Sequence, residues 1–448
     1  MAIVLLLATG TAAADTYTVA KDGDDAGPGT RKRPWQTLQH AAERVVAGDT
    51  VTVLPGAYAG FQLRHRGKAG APIIFVGDGA SIEGDNGTTP DGIDFAGVAY
   101  AELRGFAIRR ASRDGVRVEQ SEHVTVTGIT VEDVGQAGVT IDDSRAVSLA
   151  GVHVTRAGAI GIQVTSGGAI ELRTTTVTGA HDDGIALGPV AGATLDALVV
   201  TGSGGHGIVA SGTHELRVTS SLVFANHAFG VSLDAPGAAL LHDTIVAGTG
   251  QYAVKLDAGA TGASVLENIL LATDPVAGGG AIWASPRCFP FTSDRNAVTP
   301  SFGLGRRLAI DLEQWRLQTK QDATSFAGDA SLFAAAGDFQ LAPASAAIDK
   351  GTLTSLGPTD LAGHRRVVHG RADLGAYEVC GNDCTAPGPP PIARDARGCC
   401  DGGGGGSLFG ALGLAPLARR RRRTMAGCHP RPGRKSQRPS MRSGSRYR

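Results

Sequence analysis

From residue 75 onward, apolar and polar positions recur every 23 residues. Cut into blocks of that length, residues 75–258 align without a gap. Position 18 reads Gly92, Gly115, Gly138, Gly161, Gly184, Gly207, Gly230 and finally Ala253. Position 19 reads Ile93, Val116, Val139, Ile162, Ile185, Ile208, Val231 and Val254. From the second block on, position 6 runs from Leu103 and Val126 to Val218 and Leu241, and position 11 from Ile108 and Val131 to Val223 and Val246. A fixed period of this length is the mark of a repeat architecture. Each block holds three short alternating runs separated by Gly, Ser, Thr and Asp, and none holds a helical stretch. Three strands per turn predict an all-β, right-handed parallel β-helix of about nine coils over residues 75–286. Like side chains then stack ~4.8 Å apart, with aliphatic columns inside. The glycine column is expected to mark a tight corner, through φ > 0 or through close approach of backbone.

An open solenoid end is an aggregation edge and has to be covered. Residues 15–74 read as an N-terminal cap, with strands over 17–20 and 50–54 and a helix over 36–46. Residues 259–286 read as one more, looser coil. The period is lost over 287–384, a C-terminal module predicted to be helical over 308–317, with strand ends at 339–341 and 347–348.

Composition fits this reading. The chain has 65 Gly among 448 residues and 5% aromatics, which argues against a helical bundle, and the glycines lack the triplet period of collagen. No run of 18 apolar residues exists, which excludes a polytopic membrane protein. The formal charge of zero conceals an asymmetry. Residues 419–448 hold 12 Lys or Arg and no acid, leaving 30 basic against 42 acidic residues in 1–418, a net of −12.

The ends bear on location. Residues 1–14 read as a signal peptide, apolar from Ala2 to Ala8, with small residues before Asp15. Secretion is expected, and Cys380 and Cys384 are then expected to form a local disulfide. Residues 385–398 are a Pro-rich linker. Gly398-Cys399-Cys400, a short apolar stretch and Arg419 to Arg423 follow. That order resembles the C-terminal sorting tags of myxobacterial surface proteins. The resemblance implies anchoring to the cell envelope over 399–423, with Cys399 or Cys400 as the processing point. Residues 424–448 read as a disordered basic tail rather than a nucleic-acid-binding one, and a monomer is expected.

Several segments look like one known group. Tyr17-Thr-Val-Ala-Lys-Asp-Gly-Asp, Pro34-Trp35-Gln-Thr-Leu, Ala47-Gly-Asp-Thr-Val and Pro55-Gly-Ala-Tyr58 resemble the entry of secreted β-helix proteins of the pectate-lyase superfamily, near polysaccharide lyase families 9 and 6. Gly337-Asp-Phe-Gln-Leu and Ala372-Asp-Leu-Gly-Ala-Tyr-Glu378 are similar to the C-terminal module such proteins carry. The likeness covers about residues 17–378. It implies a polysaccharide partner and, for acidic glycans, a Lys or Arg base with bound Ca²⁺.

Two candidate clusters follow. Lys255 is the only lysine between 75 and 286, on an outward position, with Asp257 two residues on and Asp234 one coil below Asp257. Stacked carboxylates repel unless a cation or proton lies between them, so Asp234 and Asp257 are a candidate Ca²⁺ pair and Lys255 a candidate base. His181, Asp182 and Asp183 precede His206 and His227 on the next coils, with Phe229 and Tyr252 above His206. Asp182 and Asp183 before Gly205-His206-Gly207 resemble two motifs of family 28 polygalacturonases, implying catalytic Asp182, Asp183 and His206; the other two motifs are absent. Aromatic faces suit sugar rings, which makes His181, His227, Phe229 and Tyr252 candidates for substrate contact. The structural reading stands beside this one, since Asp91 and Asp114 share the position of Asp183 and point to a corner Asp capping a turn. Three functions are carried: a polysaccharide lyase, a non-catalytic carbohydrate-binding or adhesive surface solenoid, and a hydrolase using Asp182 and Asp183.

Overall fold

Within each short strand the burial alternates. Val116 and Val118 are fully buried while Arg117 and Glu119 turn outward. Repeated coil after coil, this alternation closes the chain into a right-handed parallel β-helix. It is seen in a computed structural model that describes residues 14–273, 278–352, 357–368 and 370–379. The expected signal peptide up to residue 13, Cys380, Cys384, the expected linker, Cys399, Cys400, the expected sorting tag and the basic tail lie outside the described residues.

Three sheets of 12 strands each form the walls. The first contains Ala99–Arg104 and Glu122–Thr127, the second Ile93–Ala96 and Val116–Glu119, the third Ala107–Arg109 and Thr130–Glu132. Pairing is parallel throughout except for Arg307–Ile310, which closes the second sheet antiparallel. The coils exceed the expected nine, because residues 50–63 already supply strands to all three sheets. Strands Thr292–Asp294, Ala297–Val298 and Phe302–Leu304 add another coil at the far end. Twelve strands at ~4.8 Å give a rod of roughly 50 Å.

The interior column of the second sheet runs Ile93, Val116, Val139, Ile162, Ile185, Ile208, Val231, Val254, Ile282, each fully buried. One stretch departs from the 23-residue cut. Val218 pairs with Leu240 and Val223 with Ile245, one residue earlier than the period places them. Leu240 and Ile245 therefore point inward, while Leu241 and Val246 are half-exposed. A one-residue slip in a strand exchanges its two faces.

The glycine column works by close approach alone. Gly92, Gly115, Gly138, Gly161, Gly184, Gly207 and Gly230 all keep φ out of the left-handed region. A Cβ on Gly138 would lie 2.3 Å from Val154 Cγ1 and 2.6 Å from the Gly161 carbonyl oxygen. Left-handed residues form a separate column at the corner between the first and third sheets: Gly105, Gly128, Gly151, Thr174, Ala197, Ser220, His242, Glu267 and Arg295.

Both ends are covered. Helix α1, Leu38–Ala42, is shorter than its apolar spacing predicts; Thr37 caps it by accepting the His40 N–H, and it packs Leu38, Ala41 and Ala42 onto the first coils. At the other end helix α2, Leu312–Thr319, buries Trp315 against Phe302, with ring centroids 4.7 Å apart. Residues 347–348 are a turn rather than a strand end. A second apolar cluster, including Ile269, Leu271, Ala297, Leu341, Ala347 and Leu374, joins the C-terminal module to the outer face of the third sheet.

Candidate functional site

The outward column of the second sheet reads Val209, Ser232, Lys255, Trp283 in register. Beside it, at the corner leading into that sheet, stand Asp183, His206 and Phe229. Asp183 Oδ1 accepts the His206 backbone N–H at 2.7 Å, and His206 Nδ1 accepts the Phe229 backbone N–H at 3.2 Å. The His206 and Phe229 rings stack, with centroids 5.5 Å apart and planes 18° from parallel. Lys255 Nζ lies 5.3 Å from the Phe229 ring centre and 5.7 Å from that of Trp283, and it pairs with Asp257 Oδ2 at 2.6 Å. The Trp283 indole N–H donates to the Gly305 carbonyl at 3.1 Å, which fixes its ring.

This geometry assigns protonation. An imidazole nitrogen that accepts a backbone N–H carries no proton, so neutral His206 holds its hydrogen on Nε2. Burial pushes its pKa below the ordinary histidine value and the Lys255 charge adds to that, while Asp183 opposes it. His206 thus offers an N–H donor. Lys255, ion-paired and seated between two rings, is a cation and donor held in place by attraction to their faces.

The structure sorts the sequence-predicted residues. Asp183, His206, Phe229, Lys255 and Asp257 gather in one strip. Asp91 Oδ1 accepts the Asp114 N–H at 3.2 Å and Asp114 Oδ1 the Ala137 N–H at 3.1 Å. Asp183 performs the same corner capping, so its carboxylate is engaged with backbone. Asp182 is exposed and pairs with exposed His181 at 2.9 Å, and His227 is exposed at its corner. Tyr252 is only 4% exposed and fills space left by Gly280 and Gly303, so it presents no face to a sugar. Asp234 Oδ1 accepts the Gly259 N–H at 2.6 Å.

With Asp234 holding a backbone amide and Asp257 holding Lys255, this pair does not fit a Ca²⁺ ion. Among the described residues no three His, Cys, Asp or Glu side chains converge as a metal would require. Calcium is held by six to eight oxygens.

Sequence reasoning missed Trp283, because the coil between Lys255 and its partner is lengthened to 28 residues and the period no longer points to it. It also missed a polar patch toward the N-terminal end of the same sheet. There the outward column is Gln62, Asp94, Arg117, Thr140. Asp94 is buried, burial pushes its pKa up, and Gln62 donates to it at 2.6 Å. Arg117 bonds Glu119 at 3.0 Å and Asp114 at 3.2 Å. The signal lay in the sequence, as a carboxylate followed by a guanidinium at outward position 20 of consecutive blocks. Separate grooves of about 580 and 480 Å³ run along the first sheet, the larger beside Arg66, Glu122 and Arg145. Cys288 is buried, which pushes its thiol up to about 11.

The fold is a right-handed parallel β-helix. Residues 17–155 match the family model described as the Pel9A-like, right handed beta helix region. Among solved structures, the chain is similar to the pectate lyase Pel9A, at 15% identity and a TM-score of 0.57, over 81% of this chain and 96% of that one. It is also similar to a rhamnogalacturonan lyase, at 14% identity and a TM-score of 0.44, over 58% of this chain and 82% of that one. A curated relative, the uncharacterized protein YwoF of Bacillus subtilis (strain 168), is 39% identical over 62 residues; the match spans 14% of this chain and 13% of that protein's length. At 15% identity the likeness to Pel9A establishes the fold alone.

Proposed function

We propose that the protein binds an extracellular polysaccharide along the outer face of the second sheet. Trp283 supplies the stacking face, Phe229 braces Lys255 from the coil below, Lys255 meets a sugar carboxylate, and His206 donates from Nε2. The observation that carries this reading is the lysine seated between two aromatic rings with Asp257 at 2.6 Å. Rings with exposed faces pack against pyranose C–H surfaces, and an oriented cation selects an anionic sugar. The acidic body, at −12 over residues 1–418, repels a polyanion. Binding of an acidic glycan therefore requires the Lys255 ammonium to turn from Asp257 toward the sugar carboxylate.

A second reading, β-elimination on uronates, is favoured by the match of residues 17–155 to the Pel9A-like model. It needs a base with a free lone pair near the sugar C5. Lys255 is ion-paired and His206 Nδ1 is occupied by backbone, so binding is the stronger reading and elimination requires Lys255 to leave Asp257. No step is assigned to a metal. We further propose export by the N-terminal segment, anchoring to the envelope by the segment around Cys399 and Cys400, and a monomeric protein. These rest on the sequence patterns alone.

The test is a glycan array followed by titration calorimetry with the full-length protein and its Lys255→Ala and Trp283→Ala variants. Binding of carboxylated glycans that both variants weaken supports the reading. Binding indifferent to both would overturn it. Absorbance at 235 nm with pectate, alginate and chondroitin, with calcium and with chelator, tests elimination separately.

A further inference from the structure

On the outer face of the second sheet one column runs in register from Arg117 through Thr140, Gln163, Ala186, Val209 and Ser232 to Lys255. No side chain between those two cations is charged. Six steps of ~4.8 Å put them about 29 Å apart. Arg117 is already engaged: it bonds Glu119 at 3.0 Å and Asp114 at 3.2 Å, and lies 3.6 Å from Asp142. Three carboxylates around one guanidinium leave it no positive charge to offer. The other cations of this stretch face elsewhere. Arg145, Arg173 and Arg217 belong to strands of the first sheet, and Arg156, which follows a strand of the third, pairs with Glu132 and with Asp133 at 2.7 Å. Past Trp283 come the exposed Arg287 and Arg306. The stretch without a cation therefore lies on the N-terminal side of Lys255.

Both edges of that stretch carry acceptors. Asp183 stands at the corner leading into the sheet, and Asp234 ends the strand Val231–Asp234 on the other side. Each uses Oδ1 to hold a backbone N–H, that of His206 at 2.7 Å and that of Gly259 at 2.6 Å. Among the described residues neither has an ion-pair partner, and Oδ2 of each takes no hydrogen bond. An ionised carboxylate accepts hydrogen bonds and donates none. Its remaining oxygen therefore suits a sugar hydroxyl and repels a second carboxylate. Between the edges, half-buried Ala186 and Val209 give an apolar floor, and Gln163 adds a neutral amide.

We infer that the ligand of this face is a mixed glycan, a single uronate continued by neutral sugars, and not a homopolyuronate; this rests on the reading of the Lys255 site given above. The uronate meets Lys255. The neutral units run from there toward Gln163 and give their hydroxyl protons to Asp234 and Asp183. A homopolyuronate carries a carboxylate on every unit. Laid along the same column, it brings those charges past Asp234 and Asp183 with no Lys or Arg to meet them, in a body already at −12 over residues 1–418. Like charges set against each other are a means of rejecting the wrong partner. One lysine between carboxylate edges is thus a filter for sparse charge.

The experiment is titration calorimetry on the full-length chain with two oligosaccharides of equal length, one a homo-oligouronate and the other a neutral oligosaccharide carrying a single uronate. The mixed sugar should bind roughly tenfold or more tighter at low salt, and the gap should narrow as salt screens the repulsion. Asp234→Asn keeps an oxygen for the Gly259 N–H and removes the charge. It should raise the affinity for the homo-oligouronate several-fold and narrow the same gap. A homo-oligouronate that binds wild type as tightly as the mixed sugar overturns the inference, and so does a gap that neither salt nor Asp234→Asn narrows. Lys255→Ala separates the two claims: if it weakens both sugars while the gap is absent, the lysine site stands and only the filter falls. If it weakens neither, the site itself falls and the filter with it.

Discussion

Asp183 and His206 do the same work on successive coils: each lends a side-chain acceptor to the backbone N–H of the coil above, at 2.7 and 3.2 Å. This fixes the imidazole tautomer and the height of Phe229, and so the seat of Lys255. Replacing His206 by Ala leaves the Phe229 N–H without its partner and should cost about 1 kcal/mol of stability. Asn, which can accept through Oδ1, should restore most of it. Denaturant melts of the three proteins check this; equal midpoints for wild type and His206→Ala would contradict the capping role.

The same bond gives a pH dependence. The pKa of His206 is lowered in the folded protein, chiefly by burial. Its contribution is therefore present above the unfolded value of ~6.5 and is lost as pH falls below that value. Stability should decline from about pH 7 to about pH 5, less steeply in His206→Asn.

Glu267 should leave its own signature at lower pH. Burial works against its charge, but hydrogen bonds from His242 and Thr352 hold it down at about 2. Its stabilisation is complete above its unfolded pKa of ~4.5 and disappears as pH falls toward 2, on the order of 2 kcal/mol in all. Thermal melts between those limits should show Glu267→Gln losing less stability with acid than wild type.

Gly138 and Gly151 separate close approach from backbone conformation. Ala at 138 must push its Cβ into Val154 and the Gly161 carbonyl, which should cost ~1–3 kcal/mol or more. Gly151 has φ +62° but its nearest neighbour to a Cβ is 3.7 Å away. Thr174 and Ala197 already hold the same corner. Gly151→Ala should therefore cost only ~1 kcal/mol. Equal losses for the two variants would contradict the assignment.

Much of the fold was legible because a period of 23 residues is visible wherever the coil length stays constant. It failed where length changed. The shortened turn before Leu240 moved Leu241 and Val246 off the core, and the lengthened coil before Trp283 hid the second ring of the lysine seat. The glycine column announced crowding but not its cause, since Gly138 and Gly151 look alike in sequence and differ in φ and in what a Cβ would meet. In the site, the 23-residue column placed Asp183, His206 and Phe229 together, because stacking follows directly from register. It did not distinguish capping from catalysis, a matter of where the Asp183 oxygens point. Nor did it foresee that Tyr252 is buried. The docking of the C-terminal module was illegible for a different reason: Glu267 and Thr352 meet across 85 residues with no repeat to connect them.

The central claim is that Lys255, seated between Phe229 and Trp283, recognises a carboxylated glycan. Calorimetric titration of an oligouronate into wild type and Lys255→Ala, at low and physiological salt, tests it most directly. A loss of affinity of roughly tenfold in the variant is predicted, shrinking as salt screens the pair. Equal affinity of the two proteins at both salt concentrations would contradict it.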